Sequence, residues 1–560
     1  AVSDICQQGE GLPLALELAA SGTRLLSCEA IAKELREGRE LLRSEDGVRP
    51  ARHASIEAVF EQSWRLLSDI ERDVLARLSV MSGSFTAEAA RDVAFARLAV
   101  LASLADKSLL HRDDARLRLH PLVQQLAGAK LPADAAFAAH AAHAAHYLNL
   151  LHQLKPGLRV MGPEALEVID SDYENCRQAW HFAVETGEGA ALRQSVPALV
   201  GYFEDRARFA EGRALLAGAI ESSLAERDPA LKALLVGQAA LIELRLARYA
   251  EADAMAADAL AIGRHSGDPG IRFRALSVRA GCAVNTGRLA DAKRWYSEAL
   301  AVARRTGALA DVAPTLENIA LVEKRLGRYD EALRMSSEAI DRYRAHGDVA
   351  RLAVGLSNLG SLHLFLGRTG PGKAALEEAL RLAERHDLVS TKAYALANLV
   401  ELALKERDRS RAQELADRAL GMTEAAGMRA LAGWLELQRA RLAAWRGDLA
   451  QAHALLSKGA ALASALDAPS LKAAAIIACA DVLHALGEPA SAQHVLAFGM
   501  AQDAISAPDR EELRQAWEGL GSDPLPATWP VASLDDLMRR LADEAALAHA
   551  PLVAALRSAN

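Results

Sequence analysis

Apolar and small positions recur along this chain every forty residues. Ile242, Cys282, Val322, Leu362, Leu402, Leu442 and Val482 form one apolar column. Ten residues after each stands a small residue: Ala252, Ala292, Ala332, Gly372, Ala412, Ala452, Ala492. Seven residues further stands another: Ala259, Ala299, Ala339, Ala379, Ala419, Gly459, Gly499. A spacing of seven keeps two side chains on one helix face, and small ones let a neighbouring helix approach closely. Between the columns lies a turn, as in Thr286-Gly287-Arg288-Leu289, Leu326-Gly327-Arg328-Tyr329, Leu366-Gly367-Arg368, Arg446-Gly447-Asp448 and Leu486-Gly487-Glu488. Weaker copies fall at Ala207, Ala247 and Arg407, and a second marker runs through Gly267, Gly307, Gly347, Asp387, Gly427 and Asp467. Glycine ends a helix in left-handed geometry without a steric cost. The pattern predicts two antiparallel helices per repeat, stacked repeat on repeat.

Such pairs resemble the tetratricopeptide (TPR) repeat, with each helix lengthened. The predicted fold is all-α: a TPR-like α-α superhelix of forty-residue repeats over 206–510, preceded by a small winged-helix module with one β-hairpin. Residues 1–48 read as helical, with Pro13 near a first turn. Over 52–131, Val59, Phe60, Trp64, Leu66 and Leu67 mark one amphipathic stretch, and Val74, Leu75, Leu78 and Val80 the next. Phe85 to Ala90 opens a helix behind the Thr86 cap, and Leu98 to Asp106 makes another. Ser108 to His111 and Arg116 to Leu119 flank the turn pair Asp113-Asp114 as a hairpin, and His120-Pro121 begins a closing helix. Residues 132–205 form a helical linker, and 511–560 carry capping helices after the prolines Pro524, Pro526 and Pro530.

Hydrophobic residues make up 51% of the chain but aromatic ones only 4%, as stacked Ala/Leu-rich helices require. A net charge of -8 argues against a nucleic-acid footprint spread over the whole chain. Five scattered cysteines without a CxxC pair fit a reducing cytosol, and no run is apolar and long enough for a membrane span, so a cytoplasmic location is expected. The chain opens in mid-pattern on Ala1, which leads us to expect a piece of a longer polypeptide.

Several motifs in order resemble the STAND class of signalling ATPases, which includes NB-ARC proteins. Gly11-Leu12-Pro13-Leu14 matches its GLPL motif. Arg52-His53-Ala54-Ser55, Ser63-Trp64-Arg65-Leu66-Leu67, Leu78-Ser79-Val80, Gly83-Ser84-Phe85-Thr86 and Asp106-Lys107-Ser108-Leu109-Leu110 resemble its winged helix. Leu119-His120-Pro121-Leu122-Val123 takes the place of Met-His-Asp, with Pro121 for the aspartate. Asp172-Tyr173-Glu174-Asn175-Cys176-Arg177-Gln178-Ala179 is similar to the linker before its repeats. The resemblance implies the effector-sensing half of a bacterial regulator of transcription. It implies that His120 reaches the β-phosphate of ADP and that Pro13 packs on adenine, both only alongside a nucleotide-hydrolysing core. No Walker A lysine loop precedes Gly11, so this polypeptide is expected to hold no cofactor and to be no enzyme by itself, with ADP or ATP bound in the full-length parent. A TPR scaffold without a nucleotide-linked switch is the alternative. The stretch Val93 to Leu101 is short for the family.

Gly367 to Lys373 fits G-x-x-x-x-G-K, but a predicted helix precedes it and Ala374 stands where a phosphate loop needs a hydroxyl. His140, His143 and His146 suggest a metal, yet on one helix the outer two diverge by about 120°, so no metal site is assigned. The stronger candidates line the inner face of the array: Asn318, Arg325, Asn358, Phe365, Tyr394, Asn398, Lys405, Trp434, Gln438 and Trp445. Amides can serve a peptide's backbone or tie one repeat to the next. Cations can hold carboxylates, and aromatic residues can anchor side chains. The expected partners are a protein or small-molecule effector in this groove, and the chain's own ATPase core or sister subunits. DNA contact is not expected, since Lys107 is the one cation beside the candidate recognition helix.

Overall fold

A computed structural model describes residues 1–8, 16, 20, 23, 26–33, 59–160, 163–264, 266–425, 427–520 and 533–542. The GLPL motif with Pro13, the segment Arg52 to Ser55 and Pro524, Pro526 and Pro530 lie outside the described residues. The chain divides into two compact units, Ala1–Thr286 and Gly287–Asn560.

The first unit begins with the helix Val2–Gln8 and, after residues 59–65, the helix Asp69–Leu78. Ser68 and Glu71 close a capping box at its start, and burial of Leu75 and Leu78 seats its apolar face. Thr86 caps the helix Ala87–Ala94 as expected, but the stretch before it differs from the reading above. Ser84–Thr86 is a strand, because Phe85 is wholly buried and its neighbours pair with Arg116–Arg118. The hairpin of His111–Asp113 and Arg116–Arg118 therefore becomes a three-stranded antiparallel sheet with Arg116–Arg118 in the middle. Local sequence could not show this, since three residues carry too little alternation. The short stretch at 93–101 is a tight corner, with Phe95 left-handed at φ 54° before the helix Leu98–Asp106.

Helices Ala133–Val160 and Pro163–Thr186 follow. A buried polar network ties the sheet to both. The Asn175 side-chain oxygen accepts the Ser82 N–H at 2.7 Å and faces His143 Nε2 at 3.1 Å, while Asn175 Nδ2 donates to the Ser84 carbonyl. Arg116 grips Asp172 through two nitrogens, at 2.5 and 3.2 Å, and donates to the Ser84 hydroxyl and carbonyl. A buried charge is tolerated when paired and bonded in this way.

The repeats then begin. Gly189–Asp205 with Phe209–Ile220, and Pro229–Arg245 with Tyr249–Gly263, are helix pairs of this unit, and Pro269–Asn285 follows them. In the second unit Leu289–Thr306 packs on Leu309–Arg325. The pairs Leu309–Arg325 with Tyr329–His346, Val349–Phe365 with Thr369–Arg385, Val389–Lys405 with Arg409–Ala425, Arg429–Arg446 with Leu449–Ala465 and Pro469–Ala485 with Pro489–Met500 succeed it. Ala507–Gly519 and Leu534–Ala542 close the chain.

Both small-residue columns are buried throughout, with Ala252, Ala292, Ala332, Ala412, Ala452 and Ala492 at zero exposure. Where glycine replaces alanine, the helices are too close for a Cβ: one added at Gly459 would stand 2.5 Å from Leu437. Every turn marker is left-handed, the glycines and also Ala207, Ala247, Arg407, Asp387 and Asp467. The marker therefore encodes a conformation, which glycine adopts without strain and the other residues adopt under tertiary constraint.

Candidate functional site

In the second unit the first helix of each pair carries one stripe of side chains, spaced four, three and four residues apart. On Leu309–Arg325 these are Pro314, Asn318, Leu321 and Arg325; on Val349–Phe365 they are Val354, Asn358, Ser361 and Phe365. Tyr394, Asn398, Glu401 and Lys405 follow on the next, then Trp434, Gln438, Arg441 and Trp445. These spacings hold each set within a narrow sector of its helix. The stripe opens to water: Leu321 and Val354 are each 43% exposed and Tyr394 is 52% exposed. The third column, Leu321 to Arg441, and the residues Pro314 and Val354 were not singled out from the sequence. The same forty-residue register contains them, and the exposure of Leu321 and Val354 is a tertiary property.

The predicted residues do not behave alike. Asn318, Asn358, Arg325 and Lys405 are exposed, whereas Phe365, Asn398, Trp434 and Trp445 are half-buried and Gln438 is buried. Asn398 Nδ2 donates to the Ser357 hydroxyl of the preceding repeat at 3.2 Å. Gln438 accepts from Arg441 at 2.8 Å, and Arg441 also meets Asp481 at 2.6 Å. Lys405 pairs with Glu401 at 2.8 Å and donates to the Leu364 carbonyl at 3.1 Å. The guanidinium groups of Arg409 and Arg441 stand beside the Trp445 ring, 5.4 and 5.3 Å from its centroid. Phe365 rests on Tyr329, 5.2 Å between centroids, with the Lys324 ammonium 6.0 Å from its ring.

Glu512, on Ala507–Gly519, feels the charges of Glu401, Lys405 and Lys324. Its carboxyl is pushed up to about 7 by the protein walls around it, then by Glu401 and Asp509, against the pull of Lys405 and Lys324. The side chain stays exposed on one side, and water there screens part of that push.

The first unit holds the other candidates. His120 caps Pro121–Gly128, its Nδ1 accepting the Leu122 N–H at 3.2 Å. The helical histidines go separate ways: His143 to Asn175, His146 to Asp92 at 2.9 Å, and His140 onto the Phe182 ring. Burial holds His143 down at about 4, and Asn175 opposes this through a hydrogen bond. Since the Asn175 oxygen accepts from both sides, the His143 proton sits on Nε2. Lys107 is engaged by Glu71 at 2.5 Å. Gly367 to Lys373 spans the turn between two helices and the first turn of the second. Among the described residues no cluster of His, Cys, Asp and Glu has metal-holding geometry, and no helix is long and apolar enough to cross a membrane.

Comparisons with known proteins agree with this architecture. Residues 271–345 and 311–385 match the tetratricopeptide repeat family profile. A Mycobacterium tuberculosis protein named as an HTH-type transcriptional regulator is 29% identical over 225 residues, 38% of this chain and 25% of that protein. A second protein of that organism, whose name assigns it no activity, is 35% identical over 155 residues, 24% of this chain and 39% of that one. This chain thus spans 25% of the length of the regulator it matches. Among solved structures, a Signal Transduction ATPase with Numerous Domains (STAND) from Pyrococcus horikoshii, which carries a tetratricopeptide repeat sensor, superposes with a TM-score of 0.64. That match has 16% identity and covers 91% of this chain and 75% of the other. The chain is an all-α protein of tetratricopeptide-like helix pairs, similar in fold to a STAND protein with a repeat sensor.

Proposed function

We propose that this chain is the sensing half of a STAND-type regulator and that an effector, protein or small molecule, binds the stripe on its repeat helices. The observation that supports this most is the stripe itself. It keeps Leu321, Val354 and Tyr394 in water beside amides, although the same helices bury Leu316, Leu356 and Leu396. Exposed apolar surface rimmed by polar groups marks a binding face. The three-stranded sheet and its helices act as the winged helix of the parent, with His120 held at a helix start where an anion is favoured. Nucleotide chemistry belongs to a core supplied in the full-length regulator, so this chain alone binds no ADP or ATP tightly and turns none over. DNA is not the partner of this part, because Lys107 is committed to Glu71.

The test is hydrogen exchange on the purified chain with ligands found by thermal shift against metabolites and host proteins. Protection along Leu309–Arg325, Val349–Phe365 and Val389–Lys405 is expected. Protection confined to the second helices of the pairs sinks the reading. ATP turnover that Lys373→Ala abolishes would sink the assignment of chemistry to a separate core.

A further inference from the structure

Charged rungs join the second helices of successive pairs, and they give out near the end of the array. Arg304 pairs with Glu338, Arg344 with Glu378 and Arg418 with Glu384, always between the same two register places. Between Leu449–Ala465 and Pro489–Met500 those places hold Ser464 and Phe498. A second position departs with them. Ser297, Ser337, Glu377 and Asp417 are exposed, whereas Ser457, next in that column, is buried. By helical spacing Ser457 points away from Ala452 and Gly459, the small residues that face the pair's first helix. It is therefore covered from the outer side.

The cover is the short helix Leu534–Ala542, packed along Leu449–Ala465. The Ser457 hydroxyl donates to the Ala542 carbonyl at 2.9 Å, at that helix's last turn. At its first turn Lys472, only 5% exposed, holds Asp535 at 2.7 Å and Asp467 at 2.5 Å. Between these ends Leu534, Leu537, Met538 and Leu541 are buried in the core that contains Leu456 and Ala460. The seat thus reads three features of a helix: an acid at its start, an apolar stripe along one side and an unsatisfied carbonyl at its end.

We propose that the outer side of Leu449–Ala465 is a docking seat for an amphipathic helix of a partner protein, and that Leu534–Ala542 is the chain's own strap across it, which the partner's helix displaces. The strap is loosely held. A helix of 9 residues is marginal by itself, and four buried apolar side chains do little more than offset the entropy of ordering it. Asp467 and Asp535 are 87% and 70% exposed, so water and salt screen both pairs. When Asp535 leaves, Lys472 keeps Asp467, and the empty seat strands no buried charge. A longer partner helix with an acid in its first turn and the same apolar spacing makes these contacts at a smaller ordering cost. A second copy offers only the same short helix, which gains nothing over the one already tethered there. The seat is separate from the stripe, so it stands or falls apart from the groove reading above.

The experiment uses the whole chain and fluorescence anisotropy with a labelled helical peptide, longer than the strap, that carries Asp in its first turn and the strap's apolar spacing. Leu537→Asp with Leu541→Asp frees the seat without altering it. That variant should bind the probe about tenfold or more tighter than the unaltered chain, in which the strap competes. A probe with Asn in place of its Asp should bind the freed seat about tenfold more weakly, and Lys472→Met should make the two probes equal. The Asn probe tests the ion pair without touching the chain, so a folding defect in Lys472→Met does not confound it. Hydrogen exchange should show the probe protecting Leu449–Ala465, and in the unaltered chain speeding exchange in Leu534–Ala542 as it binds. Equal binding to the freed and unaltered chains overturns the proposal, and so does no binding to either. Loss of exchange protection throughout Arg429–Met500 in the freed variant would make the strap a fixed part of the core and overturn it. Concentration-dependent dimerisation that the freed variant loses would give the seat to a second copy and also overturn it.

Discussion

At the residue scale, left-handed turn positions are held by residues of different fitness. Gly287, Gly327, Gly367, Gly447 and Gly487 adopt positive φ freely, whereas Ala247 at φ 59° and Arg407 at φ 60° do so against their own preference. A non-glycine residue there carries strain of about 1–2 kcal/mol, partly offset because glycine loses more entropy on folding. Ala247→Gly and Arg407→Gly should therefore raise stability by about 0.5–1 kcal/mol in urea denaturation, and Gly327→Ala should lower it by about 1–2 kcal/mol. A fall in the urea midpoint for both glycine variants would show that the turns are set by something other than backbone strain. The buried columns respond in the opposite sense. Ala339 lies at zero exposure between helices, so Ala339→Leu should cost about 1–3 kcal/mol by overpacking.

At the scale of the element, helix Ala507–Gly519 is anchored by Leu513 in the terminal core and carries Glu512. Because the Glu512 carboxyl is raised, docking favours its protonated form. Stability from this contact is present below the ordinary carboxylate range and is lost as pH rises towards about 7. The groups that set this are Glu401 and Asp509, which oppose ionisation, and Lys405 and Lys324, which favour it. Amide exchange in 507–519, corrected for its intrinsic pH dependence, should be faster at pH 8 than at pH 6, and Glu512→Gln should flatten the difference. The same slope in the Gln variant would remove Glu512 as its cause. Helix Asp69–Leu78 works in the reverse sense. Burial raises Glu71, but Lys107, Ser103 and Ser68 outweigh it and hold the carboxyl at about 2, so this start loses stability only as pH falls below the usual carboxylate range.

At the scale of the whole molecule, repeats transmit stability mainly to their neighbours. The polar network of Arg116, Asp172, Asn175 and His143 lies within the first unit and joins its sheet to two long helices. Asp172→Ala would leave the Arg116 guanidinium without its buried partner, at a cost of about 2–4 kcal/mol, the lower end reflecting partial exposure of Arg116. Exchange should rise in the sheet and in Pro163–Thr186, with Leu309–Ala425 unchanged. A uniform rise along the whole chain would contradict a quasi-one-dimensional fold.

The sequence by itself determined the repeat, its length, its turns and its buried columns, because each rests on spacing along one helix and recurs often enough to be read. The placing of Asn318, Asn358, Tyr394 and Lys405 on one face follows from that spacing too. Tertiary structure alone decided which of them stay open. Asn398 is occupied because Ser357 stands beside it, and Asn358 is not because Glu317 turns to Tyr343. Trp445 has arginines of two different helices beside its ring, and the charges of Glu401 and Lys405 act on Glu512, on a helix far along the chain. The strand Ser84–Thr86 belongs with these: three residues carry no period, and their pairing with Arg116–Arg118 exists only once the chain has brought them together. Local spacing fixes which way a side chain leaves its helix, and only the packed neighbours fix what it meets there.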